Sequence, residues 1–359
     1  YTYSVLNGQA EIGSSNTRKA VSPEPTGHVA VPSSLGGFPV VGIGKYAFYN
    51  CYELEGVTIP EGVTAIGKYA FDVCSKLEGV TIPEGVAAIG EGAFSNCPKL
   101  DSVTIPESVT AIGQYAFQWC DGLKSVHISN LTAWCQIKFD YYANPLRQAH
   151  ELYLNGERVT KLIFPEGLKA VGTEAFAGCS GLTEVTIPDG VTIIGNRAFS
   201  GCSGLTEVTI PNGVTAIGNA AFSGCSGLTE VTIPDGVTTI GSSAFSDCSD
   251  LTEVMIPRSV KAIGGGAFEG CHGLTKITVD PKNVNYMSQN GLLLTKDGKT
   301  LKEGVNGEVV IPPGVTMIGY RAFADRDRLT KVTIPAGVEV IGWEVFYGCD
   351  GLVDVAIPG

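Results

Sequence analysis

Along most of the chain, apolar and polar residues alternate over short stretches that stop at proline and begin again after a fixed interval. One such stretch is Leu205-Thr206-Glu207-Val208-Thr209-Ile210-Pro211. Its alternation and β-branched residues predict a single short strand, and Pro211, which has no amide hydrogen to give to a ladder, ends it. Asn212-Gly213 then turns the chain, and Val214-Thr215-Ala216-Ile217-Gly218 leads to Ala221-Phe222, with Cys225 three residues after the ring. The same unit recurs with phenylalanine at 48, 71, 94, 117, 176, 199, 222, 245, 268, 323 and 346. Cys51, Cys74, Cys97 and Cys120 are spaced 23 residues apart, as are Cys179, Cys202, Cys225, Cys248 and Cys271. A period of this length signals stacked coils. It leaves room for one strand but not for a long helix. The predicted fold is therefore an α/β repeat: a right-handed solenoid of 23-residue units, with a parallel concave β-sheet and short helical or 3-10 convex segments.

Two intervals break the period, Phe117 to Phe176 and Phe268 to Phe323, and each holds a degenerate coil plus extra chain. Irregular coils are placed at about 128–165 and about 279–310. The first contains Trp134-Cys135, Asn144-Pro145-Leu146 and Leu152-Tyr153-Leu154-Asn155-Gly156. In the second, Asp297-Gly298 between two extended runs is a hairpin signal. Tyr1 to Ile12 reads as another hairpin, turning at Asn7-Gly8. The expected organisation is an N-terminal cap over 1–40 and a solenoid over 41–359. The last residues, Ile357-Pro358-Gly359, directly follow a strand and would leave an apolar edge, so the sequence is expected to be part of a longer chain.

The unit Leu-x-x-Val-x-Ile-Pro-x-x-Val-x-x-Ile-Gly-x-x-Ala-Phe-x-x-Cys resembles the BspA-like branch of leucine-rich repeats, found in surface proteins of gut and oral bacteria. The resemblance runs from about Val29 to the end. It implies a leucine-rich-repeat solenoid and an extracellular or cell-surface setting with an adhesive role. That role attaches to the family and not to any single motif of the repeat.

Composition agrees with one extended solenoid better than with two or three globules, which the length of 359 residues would suggest. The chain has 47 glycines, many of them at recurring positions of the repeat, so the glycine excess is punctuation rather than linker. With 44% hydrophobic residues it is no disordered chain. A formal charge of −12 disfavours nucleic acid and anionic membranes as partners. No apolar run is long enough for membrane insertion by a helix, and a monomer is expected.

Candidate chemistry is sparse. Ten of the eleven cysteines share one repeat position, Cys135 being the exception, and are read as buried free thiols, with pairing between adjacent coils as the alternative. No Cys-x-x-Cys exists, so no metal is expected. His28, His127, His150 and His272 form no metal or triad spacing. Val41-Gly42-Ile43-Gly44 superficially fits a dinucleotide fingerprint, but the repeat explains Gly44, and no cofactor is expected.

Two outward columns remain on the strand. One is threonine-rich and includes Thr186, Thr209 and Thr232, with His127 in place of threonine beside the first irregular coil. Strand propensity and hydroxyl stacking explain most of it. The other contains Glu184, Glu207, Glu230 and Glu253, four like charges about 5 Å apart that repel by roughly 1 kcal/mol in bulk water. Duplication of one unit accounts for such a column; a cation, a basic peptide or a sugar is the functional alternative. Tyr46, Tyr49, Tyr52, Tyr69, Tyr115 and Trp119 gather on the convex turns, with Tyr320, Trp343 and Tyr347 near the other end. The sequence therefore reads as a non-catalytic extracellular binding or adhesion module, recognising a protein or glycan through the concave face or the irregular coils. A passive spacer within a larger surface protein is the alternative.

Overall fold

The computed structural model describes residues 1–13 and 21–357. The chain forms two compact units, Tyr1–Val159 with Ala175–Cys179, and Thr160–Glu174 with Ser180–Gly359. Each is built from three-sided coils.

The first side is the predicted strand. In the first unit Gly27–Ala30, Leu54–Thr58, Gly79–Thr81, Ser102–Thr104, Ser125–Ile128 and Glu151–Leu154 pair in parallel, one coil on the next. The sheet thus begins at Gly27, inside the segment assigned to the cap. In the second unit this ladder is interrupted. Glu184–Thr186 and Glu207–Thr209 pair, no strand forms at residues 229–233, and pairing resumes at Glu253–Ile256 with Lys276–Val279.

The second side is a two-residue strand. Ala65–Ile66, Ala88–Ile89 and Ala111–Ile112 pair in the first unit, and Ala216–Ile217, Thr239–Ile240 and Ala262–Ile263 in the second. The glycine that follows is set by packing. A Cβ at Gly67 would lie 2.7 Å from the backbone carbon of Gly44, and one at Gly218 2.6 Å from that of Gly195.

The third side departs from the expected helical pieces. Among the described residues the helices are Leu131–Gln136 and Leu146–Ala149, both inside the first irregular coil. Elsewhere this side is a run of turns with two alternating kinds of hydrogen bond. Ala47, Tyr49 and Cys51 donate three residues back within their own coil, to Gly44, Tyr46 and Phe48. Tyr46, Phe48 and Asn50 donate instead to Lys68, Ala70 and Asp72 of the next coil. A helix would consume every amide locally, whereas this alternation stitches the coils together and satisfies the main chain. It needs positive φ twice per coil, at Tyr46 (59°) and Asn50 (58°), and the columns repeat at Tyr69 and Val73, at Tyr115 and Trp119, and at Arg197 and Gly201. Those left-handed residues break any helical run.

Inside the coils, Leu, Val, Ile, Ala, Phe and Cys form buried columns. The phenylalanine rings stack face to face, 4.9 Å between Phe48 and Phe71 and 5.3 Å between Phe222 and Phe245. All eleven cysteines are free thiols. Cys74 donates to the Phe48 carbonyl and Cys225 to the Phe199 carbonyl, both at 3.2 Å, so the thiol column is also a hydrogen-bond ladder running to the preceding coil.

The hairpins expected from Asn7-Gly8 and Asp297-Gly298 are present. Tyr3–Leu6 pairs with Gln9–Ile12, and Leu292–Thr295 with Thr300–Glu303, both antiparallel. Gln9–Ile12 also pairs in parallel with Phe38–Ile43, which ties the N-terminal hairpin to the coils. Asn290-Gly291 makes a further hairpin between Tyr286–Gln289 and Leu292–Thr295. Pro358 and Gly359, part of the expected bare edge, lie outside the described residues.

Each irregular coil removes phenylalanine from the column. In the first, Tyr142 takes the left-handed position and Ala143 the alanine position, so Asn144 stands where phenylalanine belongs. Trp134, 1% exposed, packs beside it, and Trp134 Nε1 and Asn144 Nδ2 both donate to the Ala175 carbonyl, at 2.8 and 3.1 Å. In regular coils that carbonyl accepts from a phenylalanine amide. In the second irregular coil, Thr300 and Leu301 pair with Met317 and Ile318, and the Gly304 amide donates to the Ala322 carbonyl at 2.6 Å. Gly304 therefore takes the phenylalanine position, and a Cβ there would collide with the Phe323 ring. Leu301 to Gly304 is two residues shorter than Ile318 to Phe323, which puts Glu303 at the buried alanine position. Arg326, at the cysteine position of the following coil, reaches back across the irregular coil to the Phe268 carbonyl at 2.8 Å.

Candidate functional site

The strand alternation turns two columns outward, and the structure places each residue singled out from the sequence on them. In the second unit Glu184, Glu207 and Thr186, Thr209 are paired in register, flanked on one side by Lys161 and Ile163. Lys161 Nζ lies 2.6 Å from Glu184, and Lys276 Nζ 3.2 Å from Glu253. The contact with Glu184 raises the Lys161 pKa. Glu207 and Glu230 are exposed, and among the described residues neither has an ion pair. They sit on either side of the first gap in the ladder.

The hydroxyls of Thr186, Thr209 and Thr232 make no hydrogen bond among the described residues, so the expected hydroxyl stacking is not formed there. On another column Thr192, Thr215 and Thr238 donate instead to the main-chain carbonyls of Lys169, Thr192 and Thr215. Two large apolar side chains share the outward threonine column, Ile163 at 74% and Met255 at 61% exposure. Next to it, Glu166, Thr186, Pro188, Asp189, Thr209 and Pro211 line a shallow depression of ≈ 570 Å³.

His127 belongs to the first unit, where it joins a small network. Ser125 Oγ lies 3.0 Å from His127 Nε2, and the imidazole stacks on Tyr153 with 4.7 Å between centroids. Tyr153 donates to Glu151 at 3.2 Å, and Arg158 pairs with Glu151 at 2.7 Å. Sequence reasoning missed Glu151, Tyr153 and Arg158. The signal was the alternation Glu151-Leu152-Tyr153-Leu154, which puts Glu151 beside Ser125 and Tyr153 beside His127. A serine–histidine contact also suggests a nucleophile and its base. Among the described residues no third group bonds Nδ1 to orient such a base.

Burial pushes the Cys225 and Cys271 thiols up to about 12, so thiolate for nucleophilic or metal chemistry is scarce at neutral pH. Among the described residues no group of three or more His, Cys, Asp or Glu side chains is placed to hold a metal ion, and no helix is long and apolar enough to cross a membrane. On the turn side Tyr46 stacks on Tyr69 at 5.4 Å, and a hydrogen bond from Tyr69 to Glu91 raises the tyrosine pKa to about 12. Trp119 is 55% and Trp343 84% exposed.

Coils of this length, each adding a longer and a two-residue parallel strand to the stack around buried leucine, valine and isoleucine columns, are those of a leucine-rich-repeat solenoid. The model of the BspA type leucine rich repeat region matches residues 41–144, 149–275 and 305–359. The chain belongs to that family. A leucine-rich repeat protein from Bacteroides ovatus is similar over 99% of this chain and 92% of its own, at 24% identity and a TM-score of 0.57. A leucine rich cell surface protein from Faecalibacterium prausnitzii is similar over 99% of this chain and 93% of its own, at 28% identity and a TM-score of 0.57. No curated protein matches the sequence.

Proposed function

We propose that this chain is a non-catalytic binding module of the cell surface, holding a protein or a glycan on its long-strand face. The observation that carries the reading is the uncommitted chemistry of that face. Among the described residues Glu207 and Glu230 lack counter-ions while Glu184 and Glu253 have lysines, and the hydroxyls of Thr186, Thr209 and Thr232 are unbonded beside exposed Ile163 and Met255. Such a surface offers acceptors, donors and apolar area with little backbone ordering on binding, because the solenoid already fixes their spacing. His127 with Tyr153 is the corresponding feature of the first unit. The Faecalibacterium protein's description as a cell surface protein supports the setting.

A panel of immobilised matrix proteins and glycans tests the reading. A ligand that binds the parent chain should lose at least about tenfold in affinity, roughly 1.4 kcal/mol, when Glu184, Glu207, Glu230 and Glu253 are all changed to Gln. Equal binding by both proteins removes the glutamate column from the site. No binding across the panel favours the spacer.

A further inference from the structure

The second irregular coil and the coil after it share a buried pair of opposite charges, Glu303 at an alanine position of the repeat and Arg326 at a cysteine position. Glu303 is 4% and Arg326 1% exposed. Their closest approach is 3.9 Å, too long for a hydrogen bond. The guanidinium is occupied elsewhere, with Nε on the Gly304 carbonyl at 3.2 Å and a terminal nitrogen on the Phe268 and Cys271 carbonyls at 2.8 and 3.4 Å. Arg326 thus bonds the carbonyl that a cysteine thiol serves in regular coils and leaves the carboxylate incompletely compensated. The groups around Glu303 are Arg326, Glu269 of the preceding coil, Lys302 and the Ala267 amide, which hydrogen-bonds it. Glu269 is itself engaged by Arg321 at 2.8 Å, and Arg321 also faces Asp325 and Glu344. Asn306 completes the seam, its amide group donating to the carbonyls of Cys271, His272 and Leu274.

We propose that Glu303 is a proton-operated latch: when neutral it seats the strand Thr300–Glu303 and Arg326 against the preceding coil, and when ionised it loosens that seat. Burial pushes its carboxyl up to about 7 against the pull of Arg326, and Glu269 adds to the rise. A carboxyl raised in the folded state favours folding fully below its ordinary range. That contribution is lost as pH climbs from about 4.5 to about 7. The window includes mildly acidic and neutral surroundings, so the coil between Asn283 and Asn306 would differ in firmness between them.

Amide hydrogen exchange of the full chain at about pH 5 and about pH 8, corrected for intrinsic rates, tests the latch. Protection at residues 300–306 should fall by about 100-fold at the higher pH, because most of the effect of a rise from 4.5 to about 7 lies between the two pH values. Residues 151–154 of the first irregular coil should not change. Glu303→Gln should make protection at 300–306 equal at the two pH values. Unchanged protection in the parent chain, or the same loss in Glu303→Gln, overturns the proposal. The infrared carbonyl band of a neutral buried carboxyl provides a second test that needs no variant. It should be present at about pH 5 and absent at about pH 8, and its absence at the lower pH also overturns the latch.

Discussion

At the first break in the phenylalanine column Asn144 stands where a ring belongs, and at the second Gly304 does. The vacated space is filled in opposite ways. Trp134 brings an indole, apolar over most of its surface, and one N–H that meets the Ala175 carbonyl at 2.8 Å. Arg326 brings a charge, with Glu303 3.9 Å away. Both plugs cap carbonyls left open by the missing repeat residue. The tryptophan does so with a neutral donor whose bond needs no counter-charge. The arginine and Glu303 together place two opposite charges in the core of the coil, where desolvation cancels much of their attraction. The comparison teaches that a solenoid tolerates a degenerate coil when its open carbonyls find donors, and that the donor's charge then sets how that coil responds to pH.

The largest expected effects come from removing either plug. Arg326→Ala should cost about 3–5 kcal/mol near pH 8, where it leaves Glu303 ionised and alone, and distinctly less near pH 5. Denaturant melts at the two pH values check this, and equal losses would mean that the charge is irrelevant. Trp134→Ala should cost about 3–5 kcal/mol as well, by cavity and lost hydrogen bond, but equally at both pH values. A pH-dependent loss there would erase the contrast between the coils. Of intermediate size is the exchange of the ion pair for apolar residues. Glu303→Leu with Arg326→Met should be neutral or stabilising by about 1–4 kcal/mol and should abolish the pH response of residues 300–306. Destabilisation by the double change would show that the carbonyl bonds of Arg326 outweigh its charge.

The smallest effect calibrates a regular coil. Val73 is a β-branched residue at φ +62° in a column where Gly201, Gly224 and Gly270 also take positive φ. Val73→Gly should stabilise by about 1 kcal/mol, because relief of left-handed strain exceeds the added freedom of the unfolded chain. A thermal melt that moves downward would show that the turn run imposes no such strain.

Much of the coil was legible in the sequence, since strand, proline stop, turn and buried ring follow one another within each unit. The hairpins at Asn7-Gly8 and Asp297-Gly298 were legible for the same reason, as their signals are local. The turn side was not. Ala-Phe-x-x-Cys has the spacing of a helical turn, and nothing local says that alternate amides bond to the next coil. Of the candidate site, the glutamate and threonine columns followed from the period, and so did Lys276, one period after Glu253; Lys161, one period before Glu184, was hidden in the segment read as irregular.

The sequence by itself determined whatever repeats. In a parallel stack each residue's neighbour is its own equivalent one period away, so the period reads directly as contact: the rings, the thiols and the outward columns. Only the tertiary structure decided what happens where the period fails. Trp134 meets a carbonyl 41 residues ahead and Arg326 one 58 residues behind, distances that no local pattern encodes. Those contacts exist because shortened or lengthened chain must still satisfy the carbonyls that the repeat left open, and the donors that happened to reach them fixed the chemistry of each coil.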